Sequence, residues 1–236
     1  MTEIIQLDDP QVAVRLQVNV RARRFTLRLG QPGDGPVLTL PPGVPKGEAR
    51  MFLLRQSDWL RRALDRQPDQ VIVRDGTHIP IDGSPRLVQV TDGPRRAPRL
   101  EEERLLLSNH GAPGRRIAAW LKTRARDRMV PQVHSHAAEL GRKVTGISLK
   151  DTHSRWGSCS SNRRISLSWR LAMAPLEVQD YLAAHEAAHL VEMNHSAAYW
   201  AVLARLMPEF ERPRRWLKHE GRELHAYRFE APQSET

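Results

Sequence analysis

MAPLEVQDYLAAHEAAHLVEMNHSAAYW, residues 173–200, decides how the chain is read. The segment reads as a helix up to about Met193. Pro175 suits its first turn, where a missing N–H costs nothing, and Glu177 favours the positive helix start. His185 and His189 stand four residues apart on one helix face, so both imidazoles can reach a single ion. Glu186 is rotated by about 100° from His185 around the axis. That sets its carboxylate beside such an ion rather than on it, where it can take a proton from a bound water. Two imidazoles, one further ligand and an open position form the donor set of a catalytic zinc (Zn2+) site rather than a closed structural one.

The third ligand must come from beyond this face, and His195 is the candidate. Asn194 tolerates the left-handed backbone that commonly ends a helix, so the chain is expected to stop near Met193 and turn His195 back under the ion. The spacing matches the HExxHxxGxxH pattern of zincins with a third histidine. Glu192 stands where that pattern has glycine, so the turn must be made another way, and no Met-turn is evident beyond Met207. Ala183, Ala184, Ala187 and Ala188 allow close packing around the site.

Upstream, VTGISLKDTHSRWGSC and ISLSWRL read as strands joined by the polar turn SSNRR. ISLSWRL is the candidate edge strand for an extended substrate, and Trp156, Gly157, Ser158 and Cys159 are candidates to line the cleft. A simple core hairpin explains the same residues equally well, and Cys159 reads as a small buried hydrophobe. Tyr181, Tyr199, Arg155, Arg170 and His153 could stabilise an oxyanion, but each fits packing or a surface ion pair as readily. His219 and His225 read as surface residues. His134 and His136 could bind a second metal only with support the sequence does not give. Downstream, helices are expected over Ser196–Leu206 and Pro213–Leu224.

The first half is strand-rich. VAVRLQVNV and RRFTLRLG alternate with period two, VLTL is a short strand, and Glu48 to Leu64 has helical spacing. Further short strands are expected around VIVRDGTHIPI, PRLVQV and RLEEERLLLS. HGAPGRR is a break, after which Ile117 to Leu140 reads as a long helix that Pro131 should kink or split. The expected organisation is α+β: a β-rich N-terminal part, residues 1–110, and a catalytic part, residues 111–236, with its HExxH helix packed on a small sheet. The tail EAPQSET reads as frayed.

With 236 residues, 40% hydrophobic and 27% charged, the composition is that of a globular protein. No apolar run reaches the ~20 residues of a membrane span, and the acidic N-terminus lacks a signal-peptide layout. A single cysteine excludes an intramolecular disulfide and favours a reducing, cytoplasmic setting. The net charge of +10, with 37 Lys and Arg against 27 Asp and Glu, suits anionic partners such as nucleic acid or nucleotides. The aromatic residues are not interleaved with the basic ones as stacking platforms would be.

SRWGSCSSNRRISLSWRLAMAP, EVQDYLAAHEAAHLVEMNHSAAYW and RRWLK together resemble the YgjP-like metallopeptidase family, related to the SprT-like and WLM zinc proteases. RARRFTLRL, VLTLPPGV and WLRRAL are similar to it as well. The resemblance implies a zincin-like domain in which His185, His189 and His195 occupy the metal positions and Glu186 that of the catalytic glutamate. The family commonly has a bulkier residue where Ala187 stands. It implies a peptide or protein substrate. A nucleoside triphosphate pyrophosphatase activity is also attributed to the family, and SprT-like relatives act on DNA-associated proteins.

Overall fold

A computed structural model describes residues 3–30 and 32–229; the tail EAPQSET, residues 230–236, lies outside them. The architecture is α+β, and the chain forms two compact units, residues 1–70 and 71–236.

In the first unit, β1 (Ile4–Asp8) pairs antiparallel with β2 (Gln11–Val18). β2 runs parallel to β4 (Pro36–Leu40), which pairs antiparallel with β3 (Thr26–Leu29), giving the order β1-β2-β4-β3. Period-two alternation puts Ile5, Leu7, Val14 and Leu16 inside. They pack with Leu53 of α1 (Lys46–Arg55) and Leu60 of α2 (Ser57–Asp65). The single helix expected over residues 48–64 is thus two, broken at Gln56.

The second unit starts with the short strand β5 (Val71–Ile72) and a sheet of order β6-β7-β9-β8. Its strands are β6 (His78–Ile81), β7 (Ser84–Thr91), β8 (Arg99–Glu101) and β9 (Arg104–Ser108). Helix α3 (Pro113–Glu139) buries Ile117, Leu121, Ala125, Met129, Val133 and Ala137, one residue per turn along a single stripe. Pro131 does not split this helix; the stripe continues on both sides of it. The expected division near residue 110 falls inside this unit, because Ile79, Ile81, Val88, Leu105 and Leu107 share one core with the α3 stripe. A change from strands to helices marks a change of layer here, not the edge of a core.

β10 (Gly146–Lys150), β11 (Gly157–Cys159) and β12 (Arg164–Ser168) form a three-stranded sheet of order β10-β12-β11. ISLSWRL is therefore not an edge strand. β12 is central, parallel to β10 and antiparallel to β11, and from Trp169 the chain leaves it in a 3-10 turn. The edge beside the site is β11.

Helix α4 (Leu176–Ala188) is buried along most of its length. Its first turns are fixed by Gln179, which donates to Asp82 Oδ1 (3.1 Å) and to the Ala174 carbonyl (2.9 Å). Asp82 is also paired with Arg124 of α3. His136 of α3 meets Asp180 at 2.8 Å. On the far side, Ala184 and Ala188 leave room for Tyr199 and Leu203 of α5 (Ala197–Leu206). α6 (Glu211–His219), a 3-10 turn over Gly221–His225 and β13 (Tyr227–Arg228), which pairs with β5, complete the unit.

Arg170, 3% exposed, ties this last segment to the sheet. Its guanidinium forks onto Asp151 (2.7 and 3.2 Å) and donates to the carbonyls of Leu224 (3.0 Å) and Tyr227 (2.9 Å). Next to it, His225 stacks on Trp156 at 4.6 Å, and burial, helped by Arg170 and His153, holds its imidazole down to about 4 despite Asp151. Arg170→Ala should lower the free energy of unfolding by about 2–4 kcal/mol in urea titration, since it leaves the Leu224 and Tyr227 carbonyls without their charged donor. His225 binds its proton more weakly when folded than when unfolded. Its contribution to stability is therefore intact above about pH 6.5 and is lost as pH falls towards about 4. His225→Phe should flatten the fall in stability across that window, measured as unfolding midpoints at each pH.

Candidate metal centre

α4 ends at Ala188 and His189 is its C-cap, so the second histidine of the motif sits on the last turn. The helix stops earlier than Met193, and Asn194 does not adopt the left-handed conformation; no residue from 189 to 196 does. The chain reverses instead through tight bonds at the helix end, Leu190 N–H to Ala187 O (2.9 Å) and Val191 N–H to Ala188 O (3.0 Å). Ser196 then caps α5 by accepting from the Tyr199 N–H, and Asn194 Oδ1 accepts the Ser196 N–H. A turn made of 3-10 bonds needs no positive φ, so Glu192 stands in place of glycine without strain.

This return brings the three imidazoles together. One ligating atom from each of His185, His189 and His195 lies within 4.8 Å of the others. His185 Nε2 and His195 Nε2 are 3.3 Å apart. Two nitrogens each ~2.0–2.1 Å from a tetrahedral ion stand about 3.4 Å from one another, so this spacing fits a bound cation. The other ring nitrogens are oriented as ligands require. His189 Nδ1 donates to the Glu192 carbonyl (2.9 Å), which leaves Nε2 with its lone pair free. Tyr181 Oη lies 3.4 Å from His185 Nδ1.

Aromatic rings hold the triad. Tyr199, fully buried, stacks on His189 at 4.5 Å and donates its hydroxyl to the His185 carbonyl (3.1 Å). Trp200 stacks on His195 at 5.6 Å and is itself covered by Arg214 at 4.3 Å. The electrostatics also suit a cation. Burial and the neighbouring imidazoles hold His185 down to about 3, and burial lowers His189, so both stay neutral and available as donors.

Glu186 is 2% exposed and, among the described residues, its Oε2 has no hydrogen-bond partner. Burial pushes its carboxyl up to about 8, against the pull of Arg155. A carboxyl in this state is waiting for a positive charge or a proton donor. It faces a cleft of about 400 Å³ lined by Arg155, Trp156, Gly157, Cys159, Tyr181 and the histidines. The Cys159 thiol is pushed up to about 11, first by burial and then by Glu186, which makes it a poor nucleophile at neutral pH.

Of the other sequence candidates, Arg155, Trp156, Gly157, Ser158 and Tyr181 line the cleft, whereas Arg170 is committed to the Asp151 network. The Tyr199 hydroxyl is occupied by the helix carbonyl. His136 is paired with Asp180, and among the described residues neither it nor His134 joins a second group of converging ligands. His225 is half-buried beside Trp156 rather than on the surface. Sequence reading missed the Glu192 carbonyl and the ring of Trp200. The one signal for them was spacing: Ser196 caps the next helix directly after His195.

β11 presents an open edge to the cleft. Ser168 N–H bonds to Trp156 O (2.7 Å) and Ser160 N–H to Arg164 O (3.0 Å), which makes Ser158 and Ser166 a bonded pair. By the alternation of an antiparallel ladder, the main-chain groups of Gly157 and Cys159 point away from β12.

Among the described residues, no helix is long and apolar enough to cross a membrane. No curated protein matches the chain. Among solved structures, the metallopeptidase zymogen abylysin of Pyrococcus abyssi is 18% identical, with a TM-score of 0.30 over 44% of this chain and 95% of that one. The model of the YgjP-like metallopeptidase domain matches residues 23–220, most of the chain and the whole of the site just described. The protein is a metal-dependent hydrolase, and the chain belongs to the YgjP-like metallopeptidase family.

Proposed function

We propose that the protein is a zinc peptidase in which His185, His189 and His195 hold the metal and Glu186 is the general base. The observation that carries this reading is the meeting of three convergent imidazoles, from α4, its C-cap and the following loop, with the buried Glu186 carboxylate of α4, whose Oε2 has no hydrogen-bond partner among the described residues. When bound, zinc would supply Lewis acidity towards the scissile carbonyl and the positive charge that keeps Glu186 ionised. Glu186 takes one proton from the attacking water and returns it to the nitrogen of the leaving amine. The peptide lies extended along β11, exchanging main-chain hydrogen bonds with Gly157 and Cys159. Trp156 and Tyr181 wall the cleft, and Arg155, which also lines it, favours an acidic group on the substrate.

The test uses zinc-loaded protein and a quenched-fluorescent peptide mixture. Glu186→Gln should lower kcat by about 10²–10⁴-fold while metal content, measured by atomic absorption, stays at the wild-type level. His195→Ala should lose metal and activity together. Arg155 at the cleft also suits a phosphate, so nucleoside triphosphates belong in the same assay. Pyrophosphate release without peptide cleavage, abolished by Glu186→Gln, would move the site to nucleotide hydrolysis. No cleavage of either class, or none that depends on Glu186, overturns the assignment. Once a cleaved peptide is known, N-methylating the amide that pairs with β11 should reduce kcat/KM by about 2–10-fold, the worth of one net hydrogen bond. Methylation of an amide facing solvent should have no effect.

A further inference from the structure

Gly157 lies in the regular strand β11, and its backbone is not among those with positive φ. Nothing in its conformation calls for glycine. The space beside it does. A Cβ built on Gly157 would stand 2.3 Å from Glu186 Oε1, 2.8 Å from its Cδ and 2.9 Å from its Cγ. Real Cβ atoms do not approach so closely, and here the whole end of the glutamate is in the way rather than one movable tip. The helix cannot back away, because Ala183, Ala184, Ala187 and Ala188 of α4 are fully buried against its other neighbours, so the carboxylate could only swing into the cleft. Cys159, two residues along the same face of β11, feels the Glu186 charge as well.

We infer that Gly157 is a positioning residue for Glu186: the missing side chain is the slot in which the carboxylate rests, aligned beside the histidine triad. This rests on the reading of Glu186 as the general base. Any side chain at 157 turns the carboxylate out of the slot while leaving the three imidazoles, which lie on α4 and the following loop, in place.

A double-mutant cycle tests this on the full-length chain. With zinc bound, Gly157→Ala should lower kcat on the peptide mixture by about a hundredfold, the cost of a misplacement of roughly 1 Å, with metal content and KM near wild type. Added to Glu186→Gln, which has already lost the base, it should cost little more. Independently of activity, Gly157→Ala should lower the thermal midpoint in the Glu186 background and leave it nearly unchanged in Glu186→Ala, where the slot is empty. If Gly157→Ala alone fails to fold, Gly157→Ala with Glu186→Ala must fold. Equal destabilisation in both backgrounds, failure of both to fold, or an undiminished kcat in Gly157→Ala overturns the inference. A fully active Glu186→Gln would overturn the general-base reading instead, and the stability cycle would still report on the slot.

Discussion

A carboxyl group buried to within a few per cent of its surface, one of whose oxygens has no hydrogen-bond partner among the described residues, is the constraint to which the second unit is built. Left alone, such a group costs several kcal/mol or takes up a proton. Glu186 is held in that state by its own helix. α4 is packed against α3 on one side, β11 on another and α5 on a third, and its four alanines let all of them approach. Stability is given up at this point, and the Gln179–Asp82–Arg124 and His136–Asp180 contacts that anchor α4 offset it. Uncompensated polarity in a helix otherwise so well secured is the mark of a site awaiting a cation.

Much of this was legible in the sequence because it is local. Four-residue spacing alone sets His185 and His189 on one face, and the alanines around them are readable as packing space. His195 was legible by its offset, though the way the chain reaches it was not. Asn194 suggested a left-handed stop, whereas the helix ends five residues earlier and turns by 3-10 bonding, which leaves no residue-type signature.

The misreadings share one cause: each depended on which distant segments meet. ISLSWRL has the alternation of an edge strand, yet β12 is flanked on both sides because β10 arrives parallel to it from an earlier part of the chain. The break at HGAPGRR marks a change from strand to helix, but the residues before and after it share one core. Arg170 carries the same charge as Arg155 and is nearer to the motif in sequence. One lies at the cleft and the other is locked between Asp151 and the carbonyls of Leu224 and Tyr227, a distinction made by a segment more than fifty residues downstream. Periodicity identifies elements and faces; it is silent on their neighbours.

The loop from His189 to Ser196 carries a consequence of its own. Because no residue in it has positive φ, its shape is written in its count of residues, in the two helix ends it joins and in the Asn194 and Ser196 side chains that start α5, not in a special backbone conformation. The side chain of Val191 has little say in where His195 lands. The insertion or deletion of one residue is another matter. It would rotate the start of α5 relative to α4, carrying Tyr199 and Trp200 away from the imidazoles they hold. Here length is the quantity that the geometry constrains.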